Sequence, residues 1–124
     1  DWFVGHIGGD DFFAYVQSID FEDAAEAVQR AQAMFDVQIK SFYDPETRDR
    51  GYLIGKGRDG NMARFDLMSV SAALIRIPPE RTEMTLDHVS VEDAKLKAIA
   101  KASPSRFASG HYTAPCAPAM LAGK

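Results

Sequence analysis

Two glycines followed by two aspartates form the part of this sequence best suited to chemistry, Gly8-Gly9-Asp10-Asp11. Glycine adopts positive φ readily and has no Cβ, so the backbone of such a turn can approach a phosphate group closely. A turn needs only one of the carboxylates, and adjacent carboxylates repel each other unless water or a cation separates them. Mg²⁺ often combines one or two protein carboxylates with substrate phosphates. The segment therefore indicates metal-dependent phosphoryl or nucleotidyl transfer, although a plain tight turn uses the same residue types.

The composition and the other reactive residues exclude several classes of protein. The formal net charge is -4 and the basic residues are scattered, so we expect no nucleic-acid partner. The single cysteine, Cys116, cannot form an internal disulfide, and the three histidines lack zinc-ligand spacing. We expect His6 to face a neighbouring strand or solvent, and His88 and His111 to lie at the surface. The lone cysteine suits a reducing cytoplasm, where we expect the protein to lie. No apolar run approaches the ~18 residues of a membrane span, so we expect no membrane contact.

The elements around the glycine–aspartate segment begin with a hairpin and a helix. Residues 2–7 and 12–16 are β-prone runs on either side of it, which predicts a β-hairpin. Asp20 can cap a helix that extends to about Tyr43, because Pro45 disfavours its continuation. The apolar residues of this helix recur at steps of three and four: Phe21, Ala24, Ala25, Val28, Ala31, Phe35, Ile39 and Phe42. The core is expected to include Phe21, Phe35, Ile39 and Phe42.

Shorter elements are predicted in the middle of the chain. Residues 44–51, DPETRDRG, are charged and turn-rich, which is typical of a solvated loop. Residues 51–56 and 62–65 flank GRDGN and predict a second hairpin. Residues 67–77, LMSVSAALIRI, are mostly apolar on both alternating faces, as in a strand that is covered on both sides.

The end of the chain predicts a helix and then a tail. Ser90 is a candidate N-cap for a helix over residues 91–102, with Asp93 three residues later. From Pro104 onward the sequence is rich in Ala, Pro, Gly and Ser, which is typical of a flexible terminus or linker. The order hairpin, long helix, hairpin, strand and helix predicts an α/β (α+β) layer sandwich with a largely antiparallel sheet.

This order of elements and the hairpin motif resemble the GGDEF domain, the diguanylate cyclase family. The motif IGGDDF, with FVGH before it and FAYV after it, is similar to the signature hairpin of the family. LMSVSAAL resembles the family's central strand, and EDAKLKAIAKAS resembles its last helix, which carries an Ala-Lys pair near its end. The resemblance spans residues 2–106 and implies a nucleotide-cyclase-like, ferredoxin-like fold. Such domains bind one GTP each and, paired face to face, condense two GTP into cyclic di-GMP.

The resemblance assigns roles to the hairpin residues. Gly8 and Gly9 match the glycines that let the hairpin backbone lie against GTP. Asp10 matches a carboxylate that binds Mg²⁺ (or Mn²⁺) and helps to deprotonate the attacking 3′-hydroxyl. Asp11 matches the second metal-binding carboxylate. In-line attack on an α-phosphate needs metal-held oxygens and positive charge around the phosphates, which agrees with these residue types.

Other positions differ from the family pattern. Lys101, in AKAS, matches the lysine that contacts the triphosphate. Ser105 stands where the family has a nucleotide-binding arginine, and Arg106, one place later, is the candidate for that role. Asp11 stands where the family has glutamate and is one methylene shorter, at a site that tolerates a misplacement of only about 0.5 Å. Trp2 stands where the family's inhibitory product site has aspartate, so we expect no product inhibition through that site.

The family has further elements before the hairpin. These are its first strand, with another metal-binding Asp, and the helices that recognise guanine. We therefore expect residues 1–106 to be the C-terminal part of a GGDEF domain in a longer protein with an upstream sensory or receiver domain, followed by a flexible tail over 107–124. Without the first strand, the fold exposes a sheet edge and apolar surface. A second copy of the domain and GTP are the expected partners, and the segment alone is expected to be inactive.

Three functional hypotheses follow. In the first, the intact domain is an enzyme that makes cyclic di-GMP from GTP in bacterial second-messenger signalling. In the second, the shorter Asp11 and the displaced Arg106 mark a catalytically degenerate domain that binds GTP or dimerises as a regulatory module. In the third, the chain is an unrelated ferredoxin-like interaction module with an acidic turn, and it binds no nucleotide.

Overall fold

The computed structural model describes residues 1–79 and 84–112, and these residues form six strands and three α-helices. The strands are β1 (Trp2–Gly8), β2 (Asp11–Val16), β3 (Tyr52–Lys56), β4 (Met62–Asp66), β5 (Ala72–Arg76) and β6 (Phe107–His111). The helices are α1 (Phe21–Gln38), α2 (Pro45–Arg50) and α3 (Leu86–Ala102), and a 3₁₀ turn over Ile39–Phe42 follows α1. The chain therefore belongs to the α+β class.

The strands of the described part of the chain form three separate pairs. β1 with β2 and β3 with β4 are antiparallel hairpins, whereas β5 and β6 run parallel. Parallel strands need a long crossover connection, and α3 supplies it and contacts both of them. The predicted antiparallel pairing is therefore right for the hairpins. The predicted single sheet is instead three strand pairs, and the parallel pair was not predicted because residues 107–111 were expected to be a tail.

Both predicted hairpins are confirmed. In the first, residues 2–6 pair with residues 12–16, and the register shifts between His6 and Gly8. In the second, Asp59 Oδ1 accepts a hydrogen bond of 3.0 Å from the backbone N–H of Asn61, which closes the turn between β3 and β4. Local turn chemistry specifies each hairpin.

The long helix α1 is shorter than predicted and only partly buried. It follows Asp20, whose backbone is extended and whose side chain makes no capping hydrogen bond. Of the residues expected in the core, Phe21, Phe35 and Ile39 are half-buried. Phe42 is 82% exposed, so its predicted place in the core is wrong. The helix ends at Gln38, and the tighter 3₁₀ geometry beyond it turns later residues to another face.

The segment predicted as a solvated loop contains the helix α2. Asp44 Oδ1 accepts a hydrogen bond of 2.8 Å from the backbone N–H of Thr47, and Pro45 occupies the first helical position. Gly51 then ends the helix with a φ of 85° in the left-handed region. A complete set of capping residues thus outweighs the high charge of this segment.

The C-terminal elements differ from prediction in three places. The predicted strand over 67–77 is reduced to β5. Thr85, not Ser90, caps α3, because its Oγ1 accepts a hydrogen bond of 3.2 Å from the backbone N–H of His88. The expected flexible tail is wrong for Phe107–His111, which form β6 beside β5. Residues 113–124 of that predicted tail lie outside the described residues.

Helix α3 and the β5–β6 pair enclose the most buried side chains. Ala100 on α3, Ala108 on β6 and Tyr112 are buried, and Ala24 on α1 is buried as well. A Cβ added at Gly110 would meet the side chain of Leu96 at 3.4 Å, so α3 packs closely on β6 there. The core of the described residues thus lies against β5 and β6 rather than against the first hairpin.

Candidate functional site

The turn of the first hairpin is open around its glycines. Gly9 has a φ of 57°, a left-handed conformation that favours glycine, and a Cβ added at Gly8 or Gly9 would meet nothing within 4 Å. His6 Nε2 donates a hydrogen bond of 2.9 Å to the carbonyl oxygen of Gly9, and its ring stacks on Phe12 at 4.7 Å. His6 is exposed, as predicted. The histidine therefore braces the turn while the backbone of the glycines remains accessible.

The carboxylates that follow the glycines are both exposed. Asp10 lies in the turn, and among the described residues its side chain has no hydrogen bond or ion pair. Asp11 begins β2, and its Oδ1 lies 3.8 Å from Nζ of Lys97 on α3. Exposed pairs of this kind add little to stability. Both carboxylates are therefore accessible to a cation from solvent.

The fit of these carboxylates to Mg²⁺ is partial. No group of three or more His, Cys, Asp or Glu side chains that could hold a metal occurs within residues 1–79 and 84–112. Asp10 and Asp11 offer hard oxygen donors, and Mg²⁺ commonly takes its other ligands from phosphates and water. The donor set suits a metal ion that arrives with a nucleotide, and it is too small for a metal ion held by these residues alone.

Lys101 lies on the last turn of α3 and is exposed. In the described part of the chain it forms no ion pair or side-chain hydrogen bond. Lys97 lies one turn before it, or about 6 Å along the helix axis, and Lys97 is the residue that reaches the hairpin. From its place on an amphipathic helix, Lys97 was expected to be solvated and was assigned no role. Its i,i+4 spacing from Asp93 and Lys101 was the available signal, since residues so spaced share one face.

Arg106 is engaged inside the fold. Its guanidinium donates to both carboxylate oxygens of Asp36 on α1, at 2.6 and 3.3 Å. It has a φ of 53°, and its carbonyl accepts hydrogen bonds from the side chain of Gln32 and the backbone N–H of Ala72. The structure thus brings Arg106 to α1, and it forms no ion pair with Asp10 or Asp11.

The remaining candidates are occupied by packing or lie outside the described residues. His111 is exposed, as predicted, and stacks on Phe21 at 5.1 Å. His88 is half-buried rather than at the surface, and its Nδ1 lies 3.4 Å from the hydroxyl of Tyr112. Cys116 falls outside the described part of the chain.

The first hairpin exposes apolar side chains on both of its faces. Side chains alternate between the two faces along each strand, and in this register Val4 and Phe12 lie on one face and Phe3 and Phe13 on the other. Their exposed fractions are 66%, 65%, 59% and 45%, in that order. Strands that are apolar on both faces are typical of the interior of a sheet. The apolar surface expected from the sequence is therefore present beside the acidic turn.

Comparison of the chain with protein-family models, with curated proteins and with solved structures gave no match. In residues 1–79 and 84–112, no helix is both long enough and apolar enough to cross a membrane. The GGDEF resemblance therefore remains a prediction from the sequence.

Proposed function

We propose that this chain is the C-terminal part of a GGDEF domain, which in its intact form condenses two GTP into cyclic di-GMP in bacterial signalling. The observation that carries the proposal is the hairpin turn, where an open left-handed glycine precedes two exposed carboxylates, Asp10 and Asp11. Nζ of Lys97 on α3 lies 3.8 Å from Oδ1 of Asp11. Positive charge beside the carboxylates supports a site for an anionic ligand held by a metal. The order of elements in the chain agrees with the resemblance.

The proposed chemistry assigns one task to each residue type. Mg²⁺ or Mn²⁺, when bound, would withdraw charge from the α-phosphate of GTP. Gly8 and Gly9 leave space for the phosphates against the backbone. Asp10 and Asp11 would hold the metal, and Asp10 would accept the proton of the 3′-hydroxyl as this attacks the α-phosphate and pyrophosphate leaves. Lys101 supplies positive charge to the triphosphate, in the manner of electrostatic preorganisation.

The proposal includes a second copy of the domain, because each copy would bind one GTP and the two bound GTP molecules must lie next to each other to react. The apolar faces of the hairpin support a larger assembly, since exposed patches of this kind mark surfaces that contact other chain segments. We further propose an upstream sensory or receiver domain and a cytoplasmic location, where GTP is available. Alone, residues 1–124 are expected to make no cyclic di-GMP.

The decisive experiment measures conversion of GTP to cyclic di-GMP with Mg²⁺ by the complete domain, including residues upstream of Asp1. Asp10→Ala is compared with Asp23→Ala, which removes an exposed carboxylate from the first turn of α1. We expect turnover by the parent and by Asp23→Ala, and none by Asp10→Ala. Retained turnover in Asp10→Ala would refute the catalytic assignment.

A degenerate, regulatory GGDEF domain is the second candidate, and two observations favour it. Asp11 is one methylene shorter than the family's glutamate, and Arg106 is paired with Asp36 instead of standing free for phosphate. GTP binding without product would support this candidate. The absence of GTP binding by the complete domain would favour the third hypothesis, an interaction module with an acidic turn.

A further inference from the structure

The turn of the second hairpin contains the only Asp-Gly pair in the sequence, Asp59-Gly60, and Asn61 follows it. All three residues are exposed. Aspartate before glycine is especially prone to isomerisation, because glycine has no Cβ that would hinder attack by its amide nitrogen. The proposed cyclase function uses no residue of this turn.

Isomerisation begins when the backbone nitrogen of Gly60 attacks Cγ of Asp59. A C–N bond forms, the carboxyl hydroxyl and the amide proton leave as water, and a five-membered succinimide ring results. Water then adds to one of the two ring carbonyls. Opening at the side-chain carbonyl restores aspartate, whereas opening at the backbone carbonyl directs the chain through the side chain, as isoaspartate. The water lost is regained, so the reaction needs no oxidant, reductant or other reactant.

Three hydrogen bonds of the turn oppose ring closure. The N–H of Gly60 donates to the carbonyl oxygen of Gly57 at 3.0 Å, so the attacking group is already engaged. Asp59 Oδ1 accepts from the backbone N–H of Asn61 at 3.0 Å, and Oδ2 accepts from the Asn61 side-chain amide at 3.2 Å. The amide nitrogen and the carboxylate must therefore give up these partners before they can react.

Asn61 also keeps the carboxyl group of Asp59 ionised. The backbone and side-chain hydrogen bonds from Asn61 lower the pKa of this carboxyl below its usual 3.8. Ring closure expels water from a protonated carboxyl more readily than it expels oxide from a carboxylate. The ionised form held by Asn61 therefore resists attack.

We propose that Asp59 is a latent isomerisation site, which the hydrogen bonds of the turn protect in the folded chain and which forms isoaspartate when the turn opens. Isoaspartate adds one methylene to the backbone path of the turn. The N–H of Gly57 donates to the carbonyl oxygen of Asn61 at 2.8 Å and closes the hairpin beside the pair Lys56 and Met62. A longer path between Gly57 and Asn61 disrupts this closure, so isomerisation leaves a lasting chemical change in the hairpin.

The test measures isoaspartate at position 59 in the complete domain, either folded in buffer or unfolded in guanidinium chloride, during incubation at neutral pH. Endoproteinase Asp-N cleaves before aspartate and not before isoaspartate, so peptide mapping by mass spectrometry quantifies the modification. Asn61→Ala removes the side-chain donor. Met62→Ala is the matched control, because Met62 is the next residue, is 63% exposed and contributes no side-chain hydrogen bond to the turn. Circular dichroism verifies that each variant is folded in buffer.

We expect the folded parent to form isoaspartate at least about tenfold more slowly than the unfolded parent, since each hydrogen bond changes the opening equilibrium by about fivefold. Asn61→Ala should raise the folded rate by about fivefold and leave the unfolded rate unchanged. Met62→Ala should change neither rate by more than about twofold.

Three results would overturn the inference. Equal rates in the folded and unfolded parent would show that the turn gives no protection. A folded rate in Asn61→Ala equal to that of the parent would show that the Asn61 side chain does not protect Asp59. No isoaspartate at position 59 in the unfolded parent would show that the site is not reactive. None of these results bears on GTP turnover, so the proposed function is tested separately.

Discussion

Gln32 provides the sharpest test of how this fold is held together. Its side chain is 5% exposed and lies in the middle of α1. The Nε2 group donates to the carbonyl oxygens of Val70 and Arg106, each at 2.8 Å. One amide thus joins α1 to the segment that enters β5 and to the residue that precedes β6.

Replacing Gln32 with leucine removes both donors and keeps a side chain of similar size. Each lost hydrogen bond costs about 1 kcal/mol, and a half-buried carbonyl left without a donor adds up to about 1 kcal/mol. Arg106 retains the hydrogen bond from Ala72, so the unpaired carbonyl is that of Val70. We therefore expect Gln32→Leu to lower the free energy of unfolding by about 2–3 kcal/mol.

Urea denaturation followed by circular dichroism measures this change. Gln29→Leu is the matched control, because Gln29 is exposed on the same helix and, among the described residues, its side chain makes no hydrogen bond. The control should differ from the parent by less than about 0.5 kcal/mol. If Gln32→Leu were as stable as Gln29→Leu, the amide would not join these segments and the reasoning would be wrong.

Further substitutions test the caps, the turn and the ion pair. The hydrogen bonds from Thr47 lower the pKa of Asp44 below its usual 3.8. The stabilisation of α2 by the Asp44 carboxylate is therefore present above pH 3.8 and is lost as the pH falls through the lowered pKa. Carboxyl ¹³C NMR should show the low titration midpoint, and Asp44→Asn should retain the cap. Gly9→Ala should destabilise the hairpin by about 1 kcal/mol, since alanine disfavours a φ of 57°. Gly9→Asn should destabilise it less, and thermal denaturation of the two variants measures the difference. Arg106→Lys loses the bidentate contact with Asp36 and should lower stability without changing GTP affinity; a selective loss of GTP affinity would instead support a nucleotide-binding role.

The elements predicted correctly are those that local sequence specifies. Both hairpins follow from turn residues between β-prone runs, and α1 follows from its apolar period. The helix α2 was predicted as a loop because its segment is highly charged. Asp44 and Pro45 are nevertheless a helix start signal, and Gly51 is a stop signal. At α3, Ser90 was the predicted cap, whereas Thr85 caps the helix earlier in the chain and the helix packs on β5 and β6.

The elements that were missed depend on distant residues. β6 has a composition of small and polar residues, and it becomes a strand because β5 pairs with it across α3. In the same way, the contact between Arg106 and Asp36 joins positions that are 70 residues apart. The turn of the candidate site was predictable from adjacent residues, whereas the approach of Lys97 to Asp11 was not, since it requires α3 to lie beside the hairpin.

The junction at Gln32 also constrains the order in which the chain can fold. Its two acceptors lie 38 and 74 residues further along, so the second contact must wait for nearly all of the described chain. Until then β5 lacks its parallel neighbour, and an unpaired strand of this kind invites pairing with other chains. Contacts between such distant positions form slowly, because the intervening chain must be ordered first. A defect at Gln32 would therefore emerge first as aggregation of newly synthesised protein, before any loss of ligand binding by molecules that had completed the fold.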